Sequence, residues 1–139
     1  MQEEGNRFKK TKIFLGFVIV IAILARLMNF GWNTIALCCL IAPQIWAFYS
    51  INLKVSKYAS QKAYILFLIS ISSLTFLVPY ILYPDFGDVG GPYAVLGLVK
   101  DRQIMPMLEN ISKGMGVFNF ILLAIELSIY FALKKKENK

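Results

Sequence analysis

Residues 13–30 read IFLGFVIVIAILARLMNF, an almost uninterrupted apolar run. A helix that crosses the hydrocarbon core of a membrane needs about 20 such residues, with a range of about 17–25. The apolar side chains cover the whole circumference of the helix, whereas a surface helix of a soluble protein keeps one polar face. This run therefore predicts a first transmembrane helix.

Three further runs have the same character, at residues 34–51, 63–83 and 115–133. The composition agrees with this pattern, because 58% of the 139 residues are hydrophobic and 17% are charged. Soluble domains usually hold about 45–50% apolar and about 25% charged residues. The sequence predicts a single all-α membrane domain over residues 1–139, with four transmembrane helices in an antiparallel bundle.

The positions of the basic residues predict the orientation of the spans. Of the 15 Lys and Arg residues, eleven lie before the first run, between the second and third, or after the fourth. The other four, among them Arg26 inside the first run, lie on the opposite side or near it. Because cytoplasmic segments carry the excess of Lys and Arg, both termini are predicted to be cytoplasmic, and the loop over residues 84–114 is predicted to be external.

The net charge of +7 is explained by the same arrangement. The basic residues stand at the ends of apolar runs, so the anionic lipid bilayer, and not nucleic acid, is the predicted partner. The basic tail at residues 134–136 is typical of many bacterial membrane proteins of this size. We therefore expect a multi-pass protein of a bacterial plasma membrane.

The predicted external loop is the longest connection in the chain. Loops beyond about 12–15 residues are usually functional or disordered. It begins PDFGDVGGP, where Asp85 and Asp88 are expected in solvated turns shaped by glycine and proline. Two carboxylates without further oxygen ligands do not make a calcium loop, so no metal site is predicted there.

The second half of this loop has helical spacing. Met107, Leu108 and Ile111 recur as they would on one face of a helix. The spacing predicts a short amphipathic helix over residues 106–113, and it leaves open whether that helix lies on the membrane surface or packs on the spans. These three residues, with Asp85 and Asp88, form the predicted interaction surface of the loop.

Two ionisable residues stand inside the apolar runs, Arg26 and Glu126. Such residues cost about 2.5–3.5 kcal/mol each on insertion scales and normally face the interior of a bundle. Helical rise places the two within about 6 Å of each other in depth, which predicts an ion pair between them, with Gln44 or a hydroxyl of the third run as the alternative partner of Glu126. Arg26 has an alternative, since its long side chain can reach the external headgroups. Asn119 and Gln44 complete the predicted set of intramembrane polar residues.

No catalytic constellation is visible in the sequence. The chain has no His, which removes the usual general base and the commonest metal ligand. Cys38 and Cys39 are adjacent and lack the spacing of a redox or zinc motif. We therefore expect a protein that is not an enzyme and that has no cofactor and no metal.

Two functions remain open at this stage. The first is a non-catalytic accessory, regulatory or immunity-type subunit that binds another membrane protein or a peptide, or that forms a homo-oligomer. The second is an oligomeric transporter or channel subunit with a polar path around Glu126, lined also by Arg26, Gln44 and Asn119. Small size, the lack of a soluble domain and an external loop with a predicted surface helix favour the first.

Overall fold

The computed structural model describes residues 2–59, 62–87 and 91–138. Its four α-helices are α1 (Gln2–Met28), α2 (Trp32–Ser56), α3 (Ala63–Leu82) and α4 (Met105–Glu137). Each of them is long and apolar enough to cross a membrane. The prediction of an all-helical, multi-pass membrane protein is confirmed at this level. Within the described residues the only β-type pairings are two isolated bridges in the loop that follows α3.

Aromatic side chains of α2 and α3 form the centre of the bundle. The rings of Phe48 and Phe76 stack with their centroids 4.0 Å apart and their planes 9° from parallel. Both side chains are fully buried, and Leu15 and Ala22 of α1 and Leu123 of α4 pack into the same cluster. Because aromatic and branched side chains bury the largest apolar areas, this cluster fixes the separation of all four helices.

Helix α4 differs from its prediction. A short helix over residues 106–113 and a separate span over residues 115–133 were expected, whereas the structure has one continuous helix of 33 residues. Its length is about 50 Å at the usual helical rise. The glycines at 114 and 116 do not interrupt it, because glycine inside a helix costs only about 1 kcal/mol.

The first turns of α4 pack on the protein itself. Leu108 is buried and contacts a small cluster with Ala94 and Met105, whereas Met107 and Ile111 are 55% and 42% exposed. The face of α4 that packs on the protein therefore includes Leu108, whereas Met107 and Ile111, the other two residues of the predicted interaction surface on this helix, lie outside it.

The loop between α3 and α4 is compact. Isolated bridges join Asp85 to Tyr93 and Ala94 to Val99. Between the second pair the chain turns through left-handed conformations at residues 95–97, with φ of 52°, 61° and 77°. Only the last of these is glycine, and left-handed φ is unfavourable for a β-branched residue such as Val95. The turn is held from the bundle by Asn29, whose side-chain oxygen accepts a 2.7 Å hydrogen bond from the Gly97 N–H.

Candidate functional site

Two buried polar clusters and one groove contain the four intramembrane polar residues predicted from the sequence. The first cluster centres on Asp85, which follows α3 and is fully buried. Its Oδ2 accepts hydrogen bonds from Arg26 Nη2 at 2.6 Å, from the Thr34 N–H at 2.9 Å and from the Thr34 hydroxyl at 2.5 Å. Its Oδ1 accepts from the backbone N–H groups of Asn33 at 2.9 Å and Phe86 at 2.8 Å. One carboxylate thus joins the end of α1, the start of α2 and the loop.

Asp85 caps α2 from outside that helix. The first N–H groups of a helix have no partner within it, and the residue before α2 is Gly31, which has no side chain to supply one. The Asp85 carboxylate fills that role for Asn33 and Thr34, and its negative charge suits the positive end of the helix dipole. Gly31 is required by space, because a Cβ there would overlap Asp85 Oδ1 and the Phe86 carbonyl oxygen.

Arg26 is fully engaged in the same cluster. Its Nε donates to the Thr34 hydroxyl at 2.5 Å and its Nη1 donates to the Tyr83 carbonyl oxygen at 2.9 Å. The guanidinium carbon also lies 5.6 Å from the centroid of the Tyr83 ring. Its ion pair with Asp85 neutralises both buried charges, as such charges require.

The predicted ion pair between Arg26 and Glu126 is therefore wrong, and so is the solvated position expected for Asp85. Arg26 lies at the last turn of α1, where the chain returning from α3 brings Asp85 against it. One signal for this partner is present in the sequence: α2 begins GWNT, with no acidic residue in its first turn, so that its N–H groups need a carboxylate from elsewhere. Asp88, the other carboxylate of the predicted loop surface, lies outside the described residues.

The second cluster, called the Glu126 cluster below, consists of Asn52, Ser72, Thr75, Asn119 and Glu126. All five residues are at least 98% buried. Asn119 Nδ2 donates to the Ser72 carbonyl oxygen at 2.8 Å and to the Thr75 hydroxyl at 3.0 Å. Asn52 Nδ2 donates to the Phe48 carbonyl oxygen at 2.9 Å and to Ser72 Oγ at 3.3 Å. The sequence placed Asn119 and Glu126 on one helix face and named a hydroxyl of the third run as an alternative partner of Glu126. The structure identifies Ser72 and Thr75 as the α3 groups of the cluster and adds Asn52 from α2.

The Glu126 cluster holds more acceptors than donors. Neither carboxylate oxygen of Glu126 has a hydrogen-bond partner among the described residues, and the same holds for the side-chain oxygens of Asn52 and Asn119. The Ser72 hydroxyl interacts with the Glu126 carboxylate electrostatically without meeting hydrogen-bond geometry. Native structures rarely leave buried polar groups unpaired, so this surplus marks the cluster as a candidate site.

Gln44 belongs to neither cluster. Its Oε1 accepts a 3.3 Å hydrogen bond from the Tyr80 hydroxyl, and it borders a cavity of about 90 Å³ together with Arg26 and Tyr83. On its other side it borders a larger apolar groove of about 690 Å³, called the α2 groove below. The α2 groove is lined by Leu37, Leu40, Ile41, Pro43, Gln44, Trp46, Ala47 and Phe120.

No protein-family model matches the chain, and comparisons with curated proteins and with solved structures gave no significant match. Within the described ranges no group of three or more His, Cys, Asp or Glu residues is placed to hold a metal ion.

Proposed function

We propose that this chain is a small non-catalytic membrane subunit, of the accessory, regulatory or immunity type, that binds a transmembrane helix of another membrane protein or peptide along α2. The observation that carries the proposal is the α2 groove, an apolar surface at or beside which two polar groups of α2 lack a hydrogen-bond partner among the described residues. Apolar surface alone does not distinguish a partner from lipid, because lipid tails are equally apolar. The polar groups make that distinction.

Helix α2 is the least covered of the four. In its most apolar stretch 11% of the residues are buried inside the protein, against 39% for the corresponding stretch of α3. Leu40 and Trp46 in the α2 groove are 66% and 71% exposed. A partner helix lying in the groove would cover side chains that the bundle itself leaves open.

Two polar groups at the groove favour protein over lipid as the occupant. Pro43 lies inside α2 and has no N–H, so the carbonyl oxygen of Cys39 lacks its helical donor. The Gln44 side chain borders the groove and uses its oxygen, not its amide nitrogen, in the bond to Tyr80. Each unsatisfied group in hydrocarbon costs several kcal/mol. A partner helix with a polar side chain at this depth would satisfy both.

The loop end offers a second contact with the same partner. Met107 and Ile111 project from the first turns of α4, and Leu98 at the tip of the loop is 79% exposed. In this proposal the helices are antiparallel, both termini are cytoplasmic and the loop faces outward, in agreement with the distribution of basic residues. The membrane is a bacterial plasma membrane.

Site-specific photo-crosslinking tests the proposal. A photoreactive residue at position 46 is compared with one at position 17 on α1, where Phe17 is 63% exposed and serves as the matched control. We expect an adduct with a second membrane protein from position 46 only, and we expect Gln44→Leu to reduce it strongly. Equal adducts from both positions, or none from position 46, would contradict the proposal. An adduct between two copies of this chain would show that α2 binds a second copy of the chain in a homo-oligomer, and would contradict a different membrane protein as the partner.

The transporter or channel alternative has less support. It needs Arg26, Gln44, Asn119 and Glu126 along one path. In the structure Arg26 bonds Asp85, Gln44 bonds Tyr80, and only the other two share a cluster. Ion flux into liposomes that depends on Glu126 would restore this alternative.

A further inference from the structure

We propose that the Glu126 cluster is a binding site for a small monovalent cation, Na⁺, which competes there with a proton. This inference does not depend on the α2 groove or on a partner protein. It rests on the orientation of two buried amides, on the buried carboxylate that shares Ser72 with them and on the chemical type of every group in the cluster.

The orientation of the amides is fixed by the backbone. Asn52 Nδ2 donates to the Phe48 carbonyl oxygen, and Asn119 Nδ2 donates to the Ser72 carbonyl oxygen. If either amide were turned by 180°, its oxygen would face a carbonyl oxygen, and two acceptors would repel each other. Both Oδ1 atoms are therefore true acceptors, and neither has a donor in the described part of the chain.

The three side chains with unpartnered oxygens are all related to Ser72. Asn52 bonds the Ser72 hydroxyl, Asn119 bonds its carbonyl oxygen, and Glu126 interacts with its hydroxyl. The hydroxyl of Ser72 can supply one proton to this group of four oxygens. The remaining acceptors are left for another ligand, and a bound cation could be coordinated by all of them, whereas a proton on Glu126 would pair with only one.

The charge of the cluster limits that ligand to a single positive charge. Glu126 is its one carboxylate, and no described Lys or Arg interacts with it; Arg26, the buried basic residue of α1, is bound to Asp85. The groups from the elements around it are amides and hydroxyls, Asn52 from α2 and Ser72 and Thr75 from α3. A single positive charge makes the cluster neutral, whereas a divalent cation would leave a buried net charge.

The ligand atoms indicate the kind of cation. Every unpartnered atom is an oxygen, and carboxylate and carbonyl oxygens favour hard metal ions. Ca²⁺ takes 6–8 oxygen ligands, and its sites draw on several carboxylates, which this cluster lacks. Na⁺ fits both the charge and the donor set, and a proton on Glu126 is its natural competitor.

Thermal unfolding in detergent gives the first test. The melting temperature of the unaltered protein is measured at pH 8 in NaCl, KCl and choline chloride at equal ionic strength. Because a ligand stabilises the folded state that binds it, we expect Na⁺ to raise the melting temperature by several degrees over choline, and K⁺ to do so less. Glu126→Gln should abolish the whole shift, and Asn52→Leu should raise the Na⁺ concentration required by about tenfold, equivalent to the loss of one contact.

Labelling with dicyclohexylcarbodiimide gives the second test, without a variant. The protonated carboxyl adds across a C=N bond of the reagent, its oxygen bonding the central carbon and its proton passing to nitrogen, and acyl migration to nitrogen leaves a stable N-acylurea. Bound Na⁺ keeps Glu126 ionised, so Na⁺ but not choline should slow its labelling at pH 6. Glu109 on the same helix, a surface residue paired with Lys113, is the control and should not respond. Melting temperatures equal in Na⁺ and choline, or labelling of Glu126 unaffected by Na⁺, would overturn the proposal and leave the carboxyl as a proton site only.

Discussion

The Asp85 carboxylate accepts five hydrogen bonds from three parts of the chain, so removal of its charge affects all of them. Asp85→Asn keeps the shape of the side chain but leaves Arg26 as an unpaired buried charge. We expect a loss of about 3–5 kcal/mol in the free energy of unfolding, as for other broken buried pairs. Denaturant or thermal unfolding in detergent measures it, and Asp101→Asn in the exposed part of the same loop should change stability by less than about 0.5 kcal/mol.

A double-mutant cycle identifies the partner of Arg26. In an Arg26→Met background, Asp85→Asn should cost less than in the unaltered protein, because no buried cation is then left unpaired. Glu126→Gln should cost the same in both backgrounds. If instead the effect of Glu126→Gln depends on Arg26 and the effect of Asp85→Asn does not, the ion pair between Arg26 and Asp85 is contradicted.

Gly31 gives a steric test at the same place. Its φ is −162°, a conformation open to any residue, so only space distinguishes glycine from alanine. A Cβ would lie 2.5 Å from Asp85 Oδ1, and we expect Gly31→Ala to destabilise the protein by about 1–3 kcal/mol. Gly16→Ala, where a Cβ meets nothing within 4 Å, is the control and should stabilise α1 by about 0.5–1 kcal/mol. Similar changes in melting temperature for Gly31→Ala and Gly16→Ala would contradict the close approach of Asp85 to Gly31.

Among the elements, α4 allows a comparison of neighbouring residues on one helix. Leu108 is 8% exposed and Met107 is 55% exposed. We expect Leu108→Ala to cost about 2–5 kcal/mol, as for other buried leucines, and Met107→Ala to cost much less. Amide exchange should be slow from the second turn of α4 onwards, with no fast segment near residue 114, if the helix is continuous. A break in protection at that residue would favour two separate helices.

The loop has a predicted pH dependence through Tyr93. Its hydroxyl donates a 2.5 Å hydrogen bond to the Phe30 carbonyl oxygen, and burial, followed by the charge of Asp85, raises the pKa of Tyr93 above its ordinary value of 10.0. Near pH 10 the Tyr93 hydroxyl therefore keeps its proton in the folded state and loses it in the unfolded state. The contribution of the protonated hydroxyl to the free energy of unfolding is complete below pH 10 and decreases as the pH rises above it. Unfolding measured from pH 9 to 11 should show a steeper loss for the unaltered protein than for Tyr93→Phe.

Prediction from sequence found the four spans but not the continuity of α4 or the partners of the buried charges, for a physical reason. Spans are determined by local hydropathy, and residues 13–28 of the run that opens at residue 13 lie in α1. The partner of Arg26 lies in a loop 59 residues away. The missing acidic residue at the start of α2 indicates that an acceptor comes from elsewhere, but no local pattern shows which carboxylate supplies it. The estimated depth of Arg26 in the membrane could not show whether Glu126 or Asp85 is its partner. Depth alone does not show which side chains face Arg26.

At the scale of the whole molecule, cysteine labelling tests the orientation. With Cys38 and Cys39 replaced by alanine, single cysteines are placed at Leu98, the exposed loop tip, and at Asn138 after α4. We expect an impermeant maleimide added to intact cells to label position 98 and not position 138, because the distribution of basic residues predicts cytoplasmic termini. The reverse pattern would show the opposite orientation.

The distance along the chain between Arg26 and its counter-ion has a consequence for biosynthesis. The two residues are 59 positions apart, and chains grow at about 5–20 residues per second. Arg26 therefore leaves the ribosome roughly 3–12 s before Asp85 does. During that interval we expect the arginine to stay near water or headgroups. We therefore expect the first helix to reach its final position only when the second half of the chain has been made and Asp85 pairs with Arg26.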